Sequence, residues 1–424
     1  MKYRKWVWIL TILYMSLFLT SCSDKSDIKV NKPAELQGEI KLWSDTDSLK
    51  ALQYSADSYM KSHSKVKITI ENLESNQNII DKISKNTELT LSRPDAVVID
   101  DESIPALVES NPDDFNDLTK IVSDEKSKFT TGSIYGVTYK DKIRAYPWYD
   151  YPVGIFYRTD IIAKFGFNID DIRTWNDFIK AGEEINKDSS GKVKIISLNS
   201  NSTELFKLMM NQLDGTDRDK NDISILNGEK PIRTMSLIKR FKSSGIIKEV
   251  NSSDEIYSSL NDGSTACMIL PIQSLSKIKG EYPSLKGKLQ MDRLPSFEVG
   301  GNRAASFGGK SIMVFKNTQN EKVINDFLNY TVSDKETVLN NLLKNDTFTD
   351  FASAYRDKRF EVKNDFFNNQ KILKTYAQIN TDTYNIGFTC DFNELNKNIL
   401  IAQKKILNGD NFSTTMDELF TNSQ

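Results

Sequence analysis

Histidine is the scarcest residue of this chain, since His63 is the single histidine among 424 residues. It lies in the polar segment Lys61–Lys65, which indicates a surface turn between a helix and a strand. Zinc sites and Ser-His or Cys-His nucleophiles usually require histidine beside other ligands or catalytic groups. The sequence therefore argues against these hydrolase classes and indicates no catalytic residue, no metal ion and no other cofactor.

Cysteine is also scarce, because the chain contains three, Cys22, Cys267 and Cys390. None of them has the CxxC spacing of a metal or redox site. Cys267 and Cys390 could form a disulfide outside the cell or stay as two partly buried thiols, which is the more common outcome. Metal binding is not expected at Asp214–Asp222 either, since this acidic segment lacks the glycine and the final glutamate of a calcium loop.

Long apolar runs are absent apart from Trp6–Leu19, which follows a basic N-terminus. A membrane-spanning helix needs about 20 residues, so this run better fits the apolar region of a signal peptide. Leu19–Cys22 then places a small residue before a cysteine, as in lipoproteins. We predict a signal peptide over 1–21 and a lipid on Cys22 that holds the protein at the extracellular face of the cell membrane. An ordinary signal peptide or membrane anchor with a chance cysteine is the alternative.

Positive and negative side chains are nearly balanced in number, with a formal net charge of −2. A nucleic-acid partner is therefore not expected, because nucleic-acid binding usually requires a basic field. Residues 22–37 are polar and predict a tether. The remaining chain of about 390 residues is long enough for two domains at roughly 100–200 residues each.

Strand and helix patterns alternate along the chain and predict an α/β fold with a largely parallel sheet. Gly38–Trp43 alternates polar and apolar residues, and Ser48–Met60 has helical spacing with Asp47 or Ser48 as its cap. Ala96–Ile99 is apolar throughout, as in a strand buried on both faces. Further strands are predicted at Ile155–Tyr157, Val193–Leu198, Ala266–Leu270 and Ser311–Phe315. Further helices are predicted at Thr174–Ile185, with Thr174 as its N-cap, and at Ser202–Leu213, Pro231–Ser243 and Glu321–Val332.

Six motifs together resemble those of the sugar-binding proteins of ABC importers, the family that includes the maltose-binding protein. They are Gly38–Trp43, Arg93–Val98, Tyr146–Asp160, Thr174–Phe178, Gly263–Met268 and Leu294–Gly309. The resemblance implies a two-lobe periplasmic-binding-protein-like α/β fold with a multi-segment hinge. It places lobe 1 at 38–146 and 304–350, and lobe 2 at 150–296 and 351–424.

The resemblance also implies a function for the cleft between the lobes. The lobes would close over a carbohydrate-like solute, and the closed state would be recognised by the permease subunits of an ABC transporter. The protein would be a monomeric receptor and not an enzyme. Two alternatives stay open from the sequence, a cell-surface glycoside hydrolase that uses a carboxylate pair and a surface adhesin with a degenerate cleft.

The best candidate for solute binding is the segment that contains Trp148, Tyr149, Asp150 and Tyr151, where the chain is expected to enter the second lobe. Aromatic rings suit the apolar faces of a sugar, and a carboxylate suits its hydroxyl groups. Packing within the hinge is the alternative role of these rings.

Other candidates follow the predicted strands, where ligands of open α/β sheets bind. Asp45 and Asp47 follow the first strand, and if Asp47 caps the next helix, Asp45 is the better ligand. Of Asp100, Asp101 and Glu102, we expect at least one in the cleft, with Glu102 as the candidate ligand, and the others solvated. The paired glycines Gly308 and Gly309 would let backbone approach a ligand. Gln273 stands where many relatives carry a tryptophan, which weakens the case for a long maltodextrin and leaves a short, modified or non-sugar solute open.

Overall fold

The structure is a computed structural model that describes residues 35–85, 93–213, 226, 228–316, 318–384 and 388–422. The predicted signal peptide, Cys22, most of the tether and the acidic segment at 214–222 lie outside these residues. Within the described ranges, no helix combines the length and apolar character that a bilayer crossing requires.

The described part of the chain alternates strands and helices, as its hydrophobic pattern predicts. The strands are β1 (Gly38–Ser44), β2 (Val66–Asn72), β3 (Ala96–Asp100), β4 (Thr138–Tyr139), β5 (Lys142–Ile143), β6 (Tyr146–Arg158), β7 (Lys194–Asn199), β8 (Ile247–Val250), β9 (Thr265–Pro271), β10 (Leu289–Asp292) and β11 (Ser306–Val314). The helices are α1 (Thr46–Ser62), α2 (Asn76–Lys85), α3 (Ile104–Ser110), α4 (Thr119–Ser123), α5 (Thr131–Gly136), α6 (Thr159–Lys164), α7 (Trp175–Asp188), α8 (Glu204–Gln212), α9 (Glu229–Ser243), α10 (Ser253–Asp262), α11 (Ser274–Glu281), α12 (Glu321–Ser333), α13 (Lys335–Asn345), α14 (Ile372–Asp382), α15 (Phe392–Leu407) and α16 (Phe412–Thr421).

The main sheet has the strand order β2-β1-β3-β11-β6-β9-β7-β8, with β10 also paired to β6. The pairs β1–β2, β1–β3, β7–β8 and β7–β9 are parallel, whereas β11 and β6 run antiparallel to their neighbours. The α/β prediction is therefore confirmed. The long strand β6 belongs to both halves of the sheet, because residues 146–152 pair with β11 and residues 153–157 pair with β9.

Three segments run side by side where the two lobes meet. The first is β6, and the second is the return segment into β11, whose Ala305 carbonyl accepts a hydrogen bond from the Val153 amide at 3.0 Å. The third passes Phe348, whose carbonyl accepts from the Asp150 amide at 3.0 Å. The sequence predicted a strand only from Ile155, but the strand begins at Tyr146 because β11 pairs with it in the first lobe.

The core of the second lobe forms around α7, whose start was predicted correctly. Thr174 is its N-cap, and a capping box links Thr174 to Asp177. Trp175 packs on Phe178 and Phe241 with ring centroids 5.4 and 5.6 Å away. Helices α15 and α16 bury side chains in the same apolar cluster. The predicted lobe boundaries stay a prediction.

The scarce residues of the chain occupy unremarkable positions in the described ranges. Cys267 is a buried free thiol in β9, whereas Cys390 is exposed. His63 follows α1 as its C-cap, with its ring stacked on Tyr59 at a centroid distance of 4.0 Å. Neither His63 nor Cys267 lies beside the cavity described below.

Candidate functional site

A polar cavity of about 330 Å³ lies between the two lobes, within the usual size range of small-molecule sites. The first lobe contributes the start of α1, the end of β3 and the start of β11, and the second contributes α8 and the end of β9. The cavity thus lies beyond the carboxyl ends of parallel strands, where open α/β sheets bind ligands. The lining residues are Asp47, Asp100, Glu102, Tyr151, Glu204, Lys207, Pro271, Gln273, Phe307, Gly308, Gly309, Lys310 and Phe388.

The cavity brings together six of the ten residues that the sequence singled out for solute binding. These are Asp47, Glu102, Tyr151, Gln273, Gly308 and Gly309. The other four, Asp45, Trp148, Tyr149 and Asp150, are buried behind its wall with exposures of 1–4%. Contact between any of the ten and a solute stays a prediction.

The Asp45 carboxylate makes two structural contacts beside the cavity. One oxygen caps α1 by accepting a hydrogen bond from the Ser48 amide at 2.9 Å. The other accepts from the buried ammonium of Lys310 at 2.5 Å. The prediction that Asp47 or Ser48 caps this helix is wrong, because the backbone is still extended at Asp45. Asp47 lies in the first turn of α1 and is exposed to the cavity.

Lys310 is a site residue that sequence reasoning missed. Its ammonium is held between Asp45 and Asp100 and is almost fully buried. Burial lowers the pKa of Lys310, but the carboxylates of Asp100 and Asp45 and the nearby Tyr149 outweigh it, so the pKa is raised. The lysine is therefore a permanent cation in the cavity wall. In the sequence, Lys310 follows the Gly308–Gly309 pair, and nothing in this local pattern indicates a buried charge.

Asp101 corrects the expectation that the remaining acids after β3 are solvated. The residue is 2% exposed, and its carboxyl accepts a hydrogen bond from the Ser311 hydroxyl at 2.6 Å. Burial, together with repulsion from the nearby carboxylates of Asp150 and Asp100, raises the pKa of Asp101 to about 8. The turn after β3 directs this side chain inward against β11, away from the cavity.

Asp150 occupies the same buried region as Asp101. Its carboxylate accepts hydrogen bonds from the Ser306 hydroxyl and, at 2.7 Å, from the Tyr151 amide. Burial raises the pKa of Asp150 to about 6 although both hydrogen bonds act in the opposite direction. The nearby Asp350 is buried as well, and burial together with Asp150 and Asp101 raises its pKa.

Gln273 lines the cavity and is held by a hydrogen bond to β6. Its side-chain nitrogen Nε2 donates a hydrogen bond to the Asp150 backbone carbonyl at 3.3 Å. This hydrogen bond determines which end of the side-chain amide carries the oxygen. The buried Oε1 atom has no hydrogen-bond partner among the described residues.

Lys207 and Glu102 form an ion pair across the cavity that the sequence did not indicate. Lys207 lies on α8 in the second lobe and Glu102 follows β3 in the first, with their charged atoms 3.2 Å apart. Both side chains are partly buried, at 16% and 28% exposure. The pair is a direct contact between α8 and the segment that follows β3, both of which line the cavity.

A chain of hydroxyl groups connects the cavity to its wall. The Tyr151 hydroxyl donates to that of Tyr149 at 3.4 Å, and the Tyr149 hydroxyl lies 2.9 Å from that of Ser48. Gly309 supports this arrangement, because a Cβ atom there would lie 2.7 Å from the Tyr149 carbonyl oxygen and 2.9 Å from Asp101 Oδ2. Gly309 thus permits β11 to pack closely on β6.

Among the described residues, no group of three or more His, Cys, Asp or Glu side chains is arranged to hold a metal ion. The cavity is lined by carboxylates, lysine ammonium groups and the rings of Tyr151, Phe307 and Phe388. This set can bind a polar, uncharged molecule by hydrogen bonds and ring contacts.

Comparison with known proteins relates the chain to binding proteins. A family model described as bacterial extracellular solute-binding protein matches residues 55–343. An arabinooligosaccharide-binding protein of Bacillus subtilis (strain 168) is 27% identical over 224 residues, which cover 52% of this chain and 51% of that protein. A lactose-binding protein of Rhizobium radiobacter is 23% identical over 337 residues, covering 78% of each. The chain therefore spans about half the length of the first relative.

Solved structures share the fold at low sequence identity. The sugar-binding protein MalE from Xanthomonas citri superposes with a TM-score of 0.77 at 13% identity, over 91% of this chain and 96% of that one. The two-lobe periplasmic-binding-protein-like fold that the sequence predicted is thereby confirmed. Because the family model covers more than half of the chain, the protein belongs to the family of bacterial extracellular solute-binding proteins.

Proposed function

We propose that this protein is a lipid-anchored receptor that captures a carbohydrate-like solute between its lobes and delivers it to an ABC permease. The observation that carries the proposal is the polar cavity of about 330 Å³ to which both lobes contribute side chains. A solute that contacts both lobes binds the closed state more tightly and so shifts the population towards it.

The chemistry of the lining supports a sugar. The carboxylates of Asp47 and Glu102 are acceptors for solute hydroxyl groups, and the ammonium of Lys207 is a donor. Charge-assisted hydrogen bonds of this kind are strong in a closed cleft. The ring of Tyr151 is available for an apolar sugar face. The relatives named for binding arabinooligosaccharides and lactose point to the same class of solute.

The remaining parts of the proposal rest on the sequence. The basic and apolar N-terminus before Leu19–Cys22 supports a lipid on Cys22 and a position at the extracellular face of the membrane. We propose that the receptor is monomeric, that it releases its solute unchanged, and that its lobes divide at the boundaries expected from the family motifs.

A binding screen tests the proposal. The melting temperature of the full-length protein in detergent is measured with monosaccharides, disaccharides, arabinooligosaccharides, amino sugars, polyols and short peptides. Compounds that raise the melting temperature are then titrated by calorimetry. A solute at 100 times its dissociation constant should add about 2.7 kcal/mol of stability. Stoichiometric binding of a sugar without products supports the proposal. Turnover of an oligosaccharide, or binding of none of the sugars, contradicts it.

A further inference from the structure

Three buried carboxyl groups lie where the two lobes meet, and each belongs to a different segment of the chain. Asp101 is in the turn after β3, Asp150 is in β6, and Asp350 is in the third crossing segment, which passes Phe348. Each acid is at most 2% exposed, and none of the three lines the solute cavity. We refer to the three side chains as the acid cluster, and to the three crossing segments as the hinge.

Backbone pairing brings the members of the acid cluster together. The residues that precede Asp150 and Asp350 form an antiparallel bridge. Because side chains alternate along a strand, the two acids project from the same face of this bridge. Asp101 approaches them across Gly309, since a Cβ atom at that glycine would lie 2.9 Å from Asp101 Oδ2 and 3.4 Å from the Cα atom of Asp150. The three carboxyl groups are therefore close enough to repel one another when they are ionised.

Within the described residues, the acid cluster receives hydrogen bonds from neutral groups alone. The donors are the Ser311 hydroxyl to Asp101, the Ser306 hydroxyl and the Tyr151 amide to Asp150, and the Asn380 side-chain amide to Asp350. The Oδ1 atom of Asn380 is buried as well and has no hydrogen-bond partner in the described part of the chain. The region therefore contains more buried acceptors than donors, although buried acceptors normally have a donor. Protons on the carboxyl groups supply donors that are otherwise missing.

The charged groups around the acid cluster do not neutralise it. The titratable and charged side chains of the described elements that pack against it are Asp45, Asp100, Glu102, Tyr149, Tyr151, Lys310 and Tyr355. Lys310 is the one cation of this set, and it already pairs with Asp45 and Asp100. Burial raises the pKa of the three tyrosines, so they stay neutral below about pH 10. Because an unpaired buried carboxylate is unfavourable, the acid cluster is most stable with its protons bound.

The acid cluster adjoins residues that line the solute cavity. Asp101 lies between Asp100 and Glu102, and both of these neighbours line the cavity. Asp150 directly precedes Tyr151, which lines it as well. A displacement of either acid therefore moves side chains that face a bound solute.

We propose that the acid cluster makes the hinge, and through it solute binding, depend on pH. With protons on the carboxyl groups, the three segments stay packed together. Loss of these protons introduces charges that repel one another, which loosens the hinge and weakens solute binding. This inference rests on the proposed function, because the property that it regulates is the capture of a solute between the lobes.

The direction of the dependence follows from burial, which raises the pKa of Asp150 to about 6 and that of Asp101 to about 8. Burial raises the pKa of Asp350 as well. An unfolded aspartate has a pKa near 3.9, so the folded protein holds these protons more strongly. They are bound in acid and are lost as the pH rises past these values. The hinge should therefore be firm at about pH 5 and loosened at about pH 9.

Millisecond hydrogen exchange of the unliganded full-length protein in detergent tests the hinge without any solute. The amides of Asp150 and Asp350 donate across the hinge to the carbonyls of Phe348 and Trp148 at 3.0 and 3.1 Å. Their exchange therefore reports the opening of the hinge. After correction for the intrinsic effect of pH on exchange, the protection of these two amides should fall at least about 10-fold between about pH 5 and about pH 9.

Two isosteric variants locate the effect in the acid cluster. Asp101→Asn and Asp350→Asn each remove one charge, and an amide oxygen can still accept a hydrogen bond from Ser311 or Asn380. Each variant should reduce the pH dependence of protection, and the double variant should reduce it further. Asp113→Asn, at a fully exposed position, is the control and should behave like the parent protein. Melting curves at about pH 5 verify that the variants fold.

Calorimetric titration with uncharged sugars connects the hinge to solute binding. Lactose, arabinotriose and the other neutral sugars of the screen do not ionise between about pH 5 and about pH 9, so a change in affinity reports the protein. The affinity for a sugar that binds should fall at least about 5-fold over this range in the parent protein, and by less in the double variant.

The outcomes separate this inference from the proposed function. If a sugar binds equally well at both pH values, the inference is wrong and the receptor function stands. Protection of the hinge amides that is independent of pH, or that changes alike in the parent protein and the double variant, also overturns the inference, whereas the receptor function is decided by sugar binding alone. If no sugar of the screen binds at either pH, the proposed function fails and this regulation fails with it.

Discussion

The ammonium of Lys310 lies 2.5 Å from a carboxylate oxygen of Asp45, although 265 positions separate the two residues in the sequence. Each residue is only 4% exposed. Lys310 also pairs with Asp100, so one cation joins the start of β11 to the ends of β1 and β3. This buried cluster holds the wall of the solute cavity in the first lobe.

Lys310→Met should lower the free energy of unfolding by about 3–5 kcal/mol, because it leaves buried carboxylates without their counter-charge. Urea unfolding followed by circular dichroism measures the change. Lys316→Met is the matched control, since Lys316 is partly exposed and pairs with the fully exposed Asp113. A Lys310→Met variant as stable as this control would contradict the role of the cluster.

The aromatic segment of β6 should separate into structural and binding roles. Trp148 is 1% exposed, so Trp148→Ala should cost about 3–5 kcal/mol of stability through the cavity it creates. Tyr151 lines the solute cavity, so Tyr151→Ala should weaken sugar binding roughly 5-fold, equivalent to about 1 kcal/mol. Urea unfolding and calorimetric titration measure the two effects. Equal affinity of Tyr151→Ala and the parent protein would remove Tyr151 from the site.

The buried acid Asp101 should make the stability of the protein depend on pH. Its pKa of about 8 in the folded protein lies above the value near 3.9 of an unfolded aspartate. The folded state therefore retains the proton more strongly, and this contribution to stability is complete below about pH 4 and is lost as the pH rises to about 8.

Asp101→Asn tests this dependence, because an asparagine oxygen can still accept from Ser311. The variant should flatten the decline of stability between about pH 4 and 8 and gain at least about 1 kcal/mol at pH 8. Urea unfolding at a series of pH values gives the profile. Asp113→Asn, at a fully exposed position, should leave the slope unchanged. A parent profile that is flat over this range would refute the prediction.

The ion pair between Lys207 and Glu102 should hold the unliganded lobes close together. Lys207→Met removes the contact across the cavity and should increase the radius of gyration of the unliganded protein in small-angle X-ray scattering. Lys277→Met removes an exposed pair with Asp254 within the second lobe and serves as the control. A double-mutant cycle with Glu102→Gln should give a coupling of about 1 kcal/mol in stability. Unchanged scattering and zero coupling would show that the pair has no such role.

Cys22→Ala should prevent lipidation. The apolar N-terminal run and the Leu19–Cys22 motif predict that a diacylglyceryl group is attached at this thiol before cleavage. The variant should remain as uncleaved precursor and incorporate no fatty-acid probe, as judged by gel mobility and labelling in cells. Cys390→Ala, at an exposed cysteine, should be processed and labelled like the parent protein. Labelling of the Cys22→Ala variant would disprove the lipoprotein motif.

The sequence by itself determined the features that depend on neighbouring residues. The cap at Thr174, the buried strand at Ala96–Ile99 and the α/β class follow from hydrophobic period and hydrogen-bonding side chains within a few positions. The order of the family motifs also predicted the two-lobe fold. The strand pattern also drew attention to Asp47 and Glu102, which line the cavity, because polar residues after parallel strands lie at one edge of the sheet.

Only the tertiary structure decided which polar side chains face the cavity and which are buried behind it. Asp101 and Glu102 are adjacent in sequence, yet one packs against Ser311 and the other faces Lys207. The position of Lys310 depends on strand pairing between distant segments, which leaves no local pattern. Periodicity reports which face of an element is apolar. It carries no information on the partner that a buried charge will meet.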